Sequence, residues 1–381
     1  MILFKNCSIA DVKNGRFIDR DILIEGEKIK EVSNNIDILD ENIEIIDIKN
    51  NKVFPGFIDG HSHIGMWTLN YNGNDANECI QPMTPSLRAI DGLNPQDRAF
   101  ESAYKAGITT IMICPGSGNV IGGQAAIIKS CGKTIEEKLM KFPAALKVAL
   151  GENPKNVYSE LKMSPSSRMS TASLLREKFE KAKLYLEEKE QGKLVEYDMD
   201  LEAIIPVMKK EIPLKIHSHR SDDTITGINI AKEFGLKATL DHCTEGYLII
   251  DKLKEVNFPI MVGPLFSFRT KDEVKNATYE NPIELIRNGL NISVVSDHPF
   301  SNCEYLPIYV GLLVKYGMDY FDAIKTITIN PAMALGIDNR VGSIESGKDG
   351  DLVIFDGDPL EISTKTLLTM INGRIVYRAN K

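Results

Sequence analysis

The chain has 381 residues, 43% hydrophobic and 26% charged, with a formal net charge of −8 and a pI near 5.5. Such a chain suits one large globular domain, or a large domain with a smaller companion. Its acidic balance lacks any basic cluster, which argues against nucleic acid or an anionic membrane as partner, and no apolar run approaches the roughly 20 residues of a membrane span.

No basic-then-apolar leader opens the sequence. The six cysteines (Cys7, Cys79, Cys114, Cys131, Cys243, Cys303) are scattered, with no C-x-x-C pair. The chain therefore reads as a cytoplasmic protein with reduced thiols.

The N-terminal stretch alternates in short strand-like pieces, ILFKNCSI, RDILIEG, KIKEVS and IEIIDI, separated by turns that include Asn14-Gly15 and Glu25-Gly26. The C-terminus mirrors it with DLVIFDGDP and TMINGRIVY, where Asn372-Gly373 between apolar runs is a strong hairpin signal. Residues 1–54 and 338–381 are expected to form one small β-domain, a β-sandwich, around a central insert.

The insert, residues 55–337, has a different grammar. FPGFIDGHSH is a strand, and a helix over 94–106 follows, with Asn94-Pro95 at its start and Gly107 at its end. ITTIMI (108–113) is the next strand, then the Gly-rich loop CPGSGNVIGGQ, then the strand ALKVALG (145–151). A charged helix covers 171–190, its Leu175, Phe179, Ala182 and Leu186 on one face. PLKIH (213–217), KATLDH (237–242), FPIMVGP (258–264) and NISVVSD (291–297) are further strands, separated by helices ending at Phe234-Gly235 and near 246–256. Helices over 305–316 and 319–328 and one starting at Asn330-Pro331 complete the series. Continuous apolar strands alternating with helices imply a parallel sheet covered on both faces. Their number fits an α/β fold of the (β/α)₈ TIM-type barrel class; an open doubly wound sheet is the second choice. No G-x-G-x-x-G or Walker-type loop points to a nucleotide.

All six histidines fall at or just past a strand end: His61 and His63, His217 and His219, His242, and His298. In a parallel barrel the strand C-termini open on one face, which carries the active site. His61, His63, His217, His242 and Asp297 come from four strands and would meet only there. Imidazoles with a carboxylate suit a divalent cation, Zn²⁺ first, with Mn²⁺, Fe²⁺ or Co²⁺ as alternatives. The i,i+2 spacing of His61 and His63 puts both on one face of a strand. Asp59 is read either as a turn residue or as an acceptor for a ligand imidazole.

With PGFIDGHSH, strand-end His217 and His242, Ser296-Asp297, NPA at 330–332 and VGSIESGKDGDLVIFDGDP at 341–359, the chain resembles the amidohydrolase superfamily of metal-dependent hydrolases, and within it the imidazolonepropionase-related, prolidase-like branch. The resemblance implies His61 and His63 on the first barrel strand, His217 on the fifth, His242 on the sixth and Asp297 on the eighth as ligands to one or two metals. It also implies a carboxylate bridge from the fourth strand. Glu152, already an anion and nearer the barrel mouth, is the preferred bridge; Lys147, as a carboxylated lysine, is the alternative.

Asp297, a carboxylate expected both to touch metal and to be reachable by the nucleophile, is read as the catalytic base. His219 is read either as polarising the substrate carbonyl or as bonding a neighbour, and His298 as structural or functional. Gln124 in the Gly-rich loop and Arg220 past the fifth strand are candidate substrate-binding groups. Trp67 walls the pocket or belongs to the core. The implied activity is hydrolysis of an amide-type C–N bond, in a cyclic amide, an N-acyl amino acid or a dipeptide, by metal-activated hydroxide. The alternative is an aminohydrolase (deaminase) acting on a ring or amidine carbon. The partner is a small-molecule substrate; assembly into a homo-oligomer is left open.

Overall fold

The computed structural model describes residues 1–37, 43–67, 73–266, 269 and 271–379, and builds two eight-stranded sheets. The chain opens with an antiparallel meander, β1 (Ile2–Asp11), β2 (Arg16–Glu25) and β3 (Lys28–Ser33). Its turns sit at Gly15 and Gly26, both at positive φ (64° and 59°), where a side chain would be strained. β4 (Glu44–Asp47) and β5 (Lys52–Pro55) then pair parallel to successive halves of β1.

The chain next enters a barrel whose strands neighbour one another in chain order: β6 (Phe57–Ser62), β7 (Ile108–Ile113), β8 (Ile121–Lys129), β9 (Leu139–Ala149), β10 (Leu214–Ser218), β11 (Ala238–His242), β12 (Ile260–Val262) and β13 (Ile292–Val294). Outward residues such as Phe57, Leu146, Ile216 and Leu240 pack against the helices; Ile58, Met112, Ala125, Ala145, Met261 and Val295 form a separate apolar cluster. The sheet closes where the segment after β13 meets β6. There Asp297 N–H donates to the His61 carbonyl (3.1 Å) and His63 N–H to the His298 carbonyl (3.0 Å).

One strand departs from the parallel pattern. The expected Gly-rich loop holds the start of β8, which runs antiparallel to both β7 and β9. Two glycines at its start hide it as a strand. Gly123 has φ 127°, and a Cβ there would stand 2.4 Å from the Leu87 carbonyl oxygen. An antiparallel strand can follow a tight turn, so this step of the barrel has no crossover helix.

Helix ends also differ from the sequence reading. The first long helix runs Arg98–Lys105, because Asp97 caps it by accepting from Ala99 N–H; Asn94 instead accepts from Gln96 N–H in the turn before it (3.1 Å). Ser167 starts the charged helix at Arg168, three residues early. Helices Glu152–Glu160 and Met199–Met208, unforeseen in the sequence, follow β9 and precede β10.

The chain returns to the first sheet as β14 (Leu352–Phe355), β15 (Thr366–Ile371) and β16 (Arg374–Arg378), with β14 antiparallel to β5. Strands from both chain ends share one apolar cluster, including Phe4, Ile22, Val53, Leu352 and Met370. Buried Lys129, at the end of β8, ties barrel to terminal sheet by pairing with Asp349 (3.0 Å) and Asp351 (2.7 Å). Among the described residues, no helix is long and apolar enough to cross a membrane.

Candidate metal centre

The run FIDGHSH supplies β6 and its exit. Gly60 lets the strand lie close to its neighbour, since a Cβ there would meet the Met261 sulfur at 2.9 Å. Buried Asp59 accepts from Ser296 N–H (3.2 Å) and from the Ser296 hydroxyl, so it ties the first strand to the last. Burial pushes its carboxyl up to about 6 against those hydrogen bonds. His242 (φ 69°), the last residue of β11, and Asp297 (φ 54°), three residues past β13, adopt the left-handed region. Such strain persists where surrounding structure enforces it, and it clusters at functional sites.

The strand ends bring the histidines together. His61, His63, His217, His219 and His242 are all 5% exposed or less, and Asp297 is 7% exposed. Asp297 Oδ1 stands 3.2 Å from Nε2 of both His61 and His63. The rings of His217 and His219 each lie 4.5 Å from that of His242, centroid to centroid, and His61 lies 5.1 Å from it. Among the described residues three triads have donor atoms within 4.8 Å of one another, and two of them lie in this cluster, His61 with His242 and Asp297, and His217 with His219 and His242; the third is His298 with Cys303 and Glu304.

Hydrogen bonds fix which nitrogen of a ring points inward. His63 Nδ1 lies 2.7 Å from the Cys114 carbonyl and His242 Nδ1 2.6 Å from the Gly263 carbonyl. A carbonyl only accepts, so Nδ1 carries a proton in each ring, and Nε2 is the nitrogen that faces the cluster. His219 Nδ1 is 2.8 Å from the Thr244 hydroxyl. His217 Nε2 lies 3.3 Å from the Asn153 amide.

The electrostatics divide the cluster. Burial pushes His242 down to about 4. Burial, together with the charge of His242, holds His217 and His219 well below the usual histidine range. All three are neutral, ligand-competent imidazoles at pH 7. Burial also opposes charge on His61 and His63, but nearby Cys114 and the acids outweigh it and lift them to about 10 and about 9. The Asp297 carboxylate is held well below its usual range, because hydrogen bonds from His61 and His63 overcome burial. A cation held here would displace the His61 and His63 protons. Nitrogen and carboxylate donors 3.2 Å apart match the spacing of two ligands about 2.1 Å from one ion, so these residues fit a divalent metal.

Three groups that the sequence reading did not single out line this site. Asp241 is fully buried; its Oδ1 accepts from Lys215 Nζ (2.7 Å), and its Oδ2 accepts from Lys147 Nζ (2.7 Å) and faces His61 Nδ1 (3.0 Å). Glu273, from the segment after β12, puts Oε1 3.9 Å from His217 Nε2 and 3.7 Å from His219 Nε2. The Cys114 thiol lies 3.7 Å from both ring nitrogens of His61.

The other expected residues lie as follows. Lys147 is 1% exposed on β9 and reaches Asp241 at the centre. Glu152 starts the helix after β9 and is not brought to the histidines: its Oε2 accepts from Glu273 N–H (3.2 Å). Gln124 lies on β8 opposite Leu146, its amide directed at the Pro85 and Ser86 carbonyls (3.4 and 3.5 Å), apart from the cluster. Arg220 forks onto Asp222 at the rim (2.9 and 2.7 Å). His298 is buried behind Asp297 and near Cys303 N–H. Trp67 packs against the His63 ring (6.1 Å) and Phe300 (5.1 Å).

The family model for the amidohydrolase family matches residues 53–376. The chain belongs to the amidohydrolase family. It is a hydrolase acting on carbon–nitrogen bonds, in a family that uses a divalent metal. It is 42% identical to an amidohydrolase of Thermotoga maritima whose structure superimposes with a TM-score of 0.96 over all of both chains. An imidazolonepropionase of Picrophilus torridus is 26% identical over 369 residues, 89% of this chain and 86% of that protein. The amidohydrolase tasK of Hapsidospora irregularis is 28% identical over 93% of this chain, which spans only 39% of that relative's length.

Proposed function

We propose that the chain hydrolyses an amide-type C–N bond in a small molecule, namely a cyclic amide, an N-acyl amino acid or a dipeptide. His61, His63, His217, His242 and Asp297 would hold one or two divalent cations, Zn²⁺ first. The supporting observation is the convergence of His61, His63, His242 and Asp297, with Nδ1 of His63 and His242 tied to carbonyls so that Nε2 faces the shared space. When bound, such a cation lowers the pKa of water towards neutrality and polarises a carbonyl.

The chain's own residues do the rest. Asp297 accepts a proton from the attacking water and returns it to the departing nitrogen. With the Thr244 hydroxyl as donor to His219 Nδ1, 2.8 Å away, the ring proton would sit on Nε2, where it would donate to the substrate carbonyl. Buried walls exclude bulk water and strengthen both interactions.

Lys147 is the better bridging candidate than Glu152. Lys147 and Lys215 share the single charge of Asp241 at under 2% exposure, a local excess of positive charge. Reaction of the neutral Lys147 amine with CO₂ gives a carbamate and releases a proton, turning one cation into an anion among metal ligands. We also read residues 1–54 and 338–381 as one β-sandwich domain and 55–337 as the catalytic barrel. The apolar cluster shared by strands from both ends supports that division.

The test is metal analysis together with turnover. Protein reconstituted with Zn²⁺ or Mn²⁺ in bicarbonate is expected to hold one to two equivalents and to cleave one of the three amide classes. Full activity in metal-free protein would refute the site. Release of ammonia from amino-purines, with no amide cleaved, would instead establish deamination.

A further inference from the structure

We propose that Glu273 selects the substrate by a cationic nitrogen, binding an ammonium group beside His217 and His219, and that Lys271 holds that place until substrate arrives. The inference rests on the amide-hydrolase reading and narrows it to substrates with a free amine near the scissile bond, as in a dipeptide.

The Glu273 side chain is completely buried although it comes from a segment at the rim. Its two oxygens have different jobs. Oε2 is anchored, accepting from Glu152 N–H at the start of the helix after β9 (3.0 Å). The backbone is shaped for it: Gly151 has φ 86°, and a Cβ there would lie 2.7 Å from Oε2. Glu273 N–H in turn donates to Glu152 Oε2, so acid and helix end hold each other.

Oε1 is the oxygen that faces the histidines, and among the described residues its one lysine or arginine partner is Lys271 Nζ, at 2.5 Å. A buried carboxylate needs a cation. Lys271 supplies one from a side chain 29% exposed, with an ammonium on a flexible stem. Its second contact, Asn153 Oδ1 (2.9 Å), belongs to an amide that also reaches His217 and the Ser117 hydroxyl. An ammonium two residues from Glu273 on the chain thus occupies the very place a substrate ammonium would take. Cyclic amides and N-acyl amino acids carry no such group, whereas a dipeptide carries it next to its peptide bond.

A strap that only fastens the loop to the helix would give the same contacts, so the test must separate charge recognition from loop anchoring. Glycyl-L-alanine and N-acetylglycyl-L-alanine are titrated by calorimetry into metal-loaded Asp297→Asn protein, which leaves turnover out of the readout. The free dipeptide is expected to bind about tenfold tighter or more, the scale of a charge-assisted hydrogen bond in a buried site. Glu273→Gln, whose amide oxygen still accepts from Glu152 N–H, is expected to collapse that ratio to about one. Lys271→Met removes the internal competitor and is expected to tighten dipeptide binding severalfold, the opposite sign to a lost strap. A ratio of one in the parent protein, a ratio that survives Glu273→Gln, or equal weakening of both probes by Lys271→Met would overturn the proposal, as would failure of both probes to bind. Amide cleavage by the wild-type enzyme is scored separately across dipeptides, N-acyl amino acids and cyclic amides, so the two readings can fail independently.

Discussion

Replacing Asp241 by Asn tests how the barrel centre is held. Asp241 is fully buried and accepts from two lysines, Lys147 and Lys215, each at 2.7 Å, while its Oδ2 faces His61 Nδ1 at 3.0 Å. Asn has nearly the same volume, so no cavity contributes. What disappears is, among the described residues, the only charge that both ammonium groups contact. Breaking a buried ion pair by neutralising one partner costs about 3–5 kcal/mol, because a desolvated charge is stranded. Urea unfolding of the metal-free protein should show a loss of that size. His61 also loses the charged acceptor that orients it, so zinc affinity, read against a competing chelator, should fall about 10–100-fold. Adding Lys215→Met removes one stranded ammonium, so the double variant should be more stable than Asp241→Asn alone. A loss under about 1 kcal/mol with unchanged zinc affinity, or strict additivity of the two substitutions, would refute this account.

Three further outcomes are expected. Asp297→Asn should keep most of its metal while kcat falls about 10²–10⁴-fold, the usual contribution of a positioned base; normal turnover, measured beside metal content, would remove Asp297 from that role. Asp349→Asn should lower stability at neutral pH by about 2 kcal/mol. Burial works against the Asp349 charge, but Lys129, Lys28 and Arg340 outweigh it and hold its pKa at about 2 against an ordinary 3.8, at about 1.4 kcal/mol per pH unit. That stabilisation is complete above 3.8 and lost as pH falls towards 2, so the urea midpoints of variant and wild type should converge in that window. Gly151→Ala should destabilise by about 2–3 kcal/mol in denaturation, since its φ of 86° suits only glycine and its Cβ would displace the Glu273 carboxylate.

The strand-end histidines were legible because their signal is local. An apolar run followed by His states both a strand and its exit, and parallel topology brings all such exits to one face. Lys215 was legible by the same rule and went unread: it stands two residues before His217, on the same face of β10. Asp241 was not legible. It directly precedes His242, and strict alternation would send the two to opposite sides; the left-handed turn at His242 brings both into the site. Gln124 failed differently, because two glycines disguised a strand as a loop, and the register of β8 puts Gln124 beside Leu146 while Gly123 opposes Lys147.

Glu152 and Glu273 set the limit of such reading. They are 121 residues apart, and each carries the ordinary signature of a polar residue near a helix end. Only the fold shows that they grip each other across the barrel mouth, with Gly151 vacating the space for one carboxylate oxygen. The consequence reaches function. An acid expected from sequence to touch metal is spent on anchoring, and the acid it anchors faces the histidines instead. The charge that faces the fifth-strand histidines thus belongs to the segment after the seventh strand, the kind of rim element through which barrels of one ligand set come to differ in what they bind.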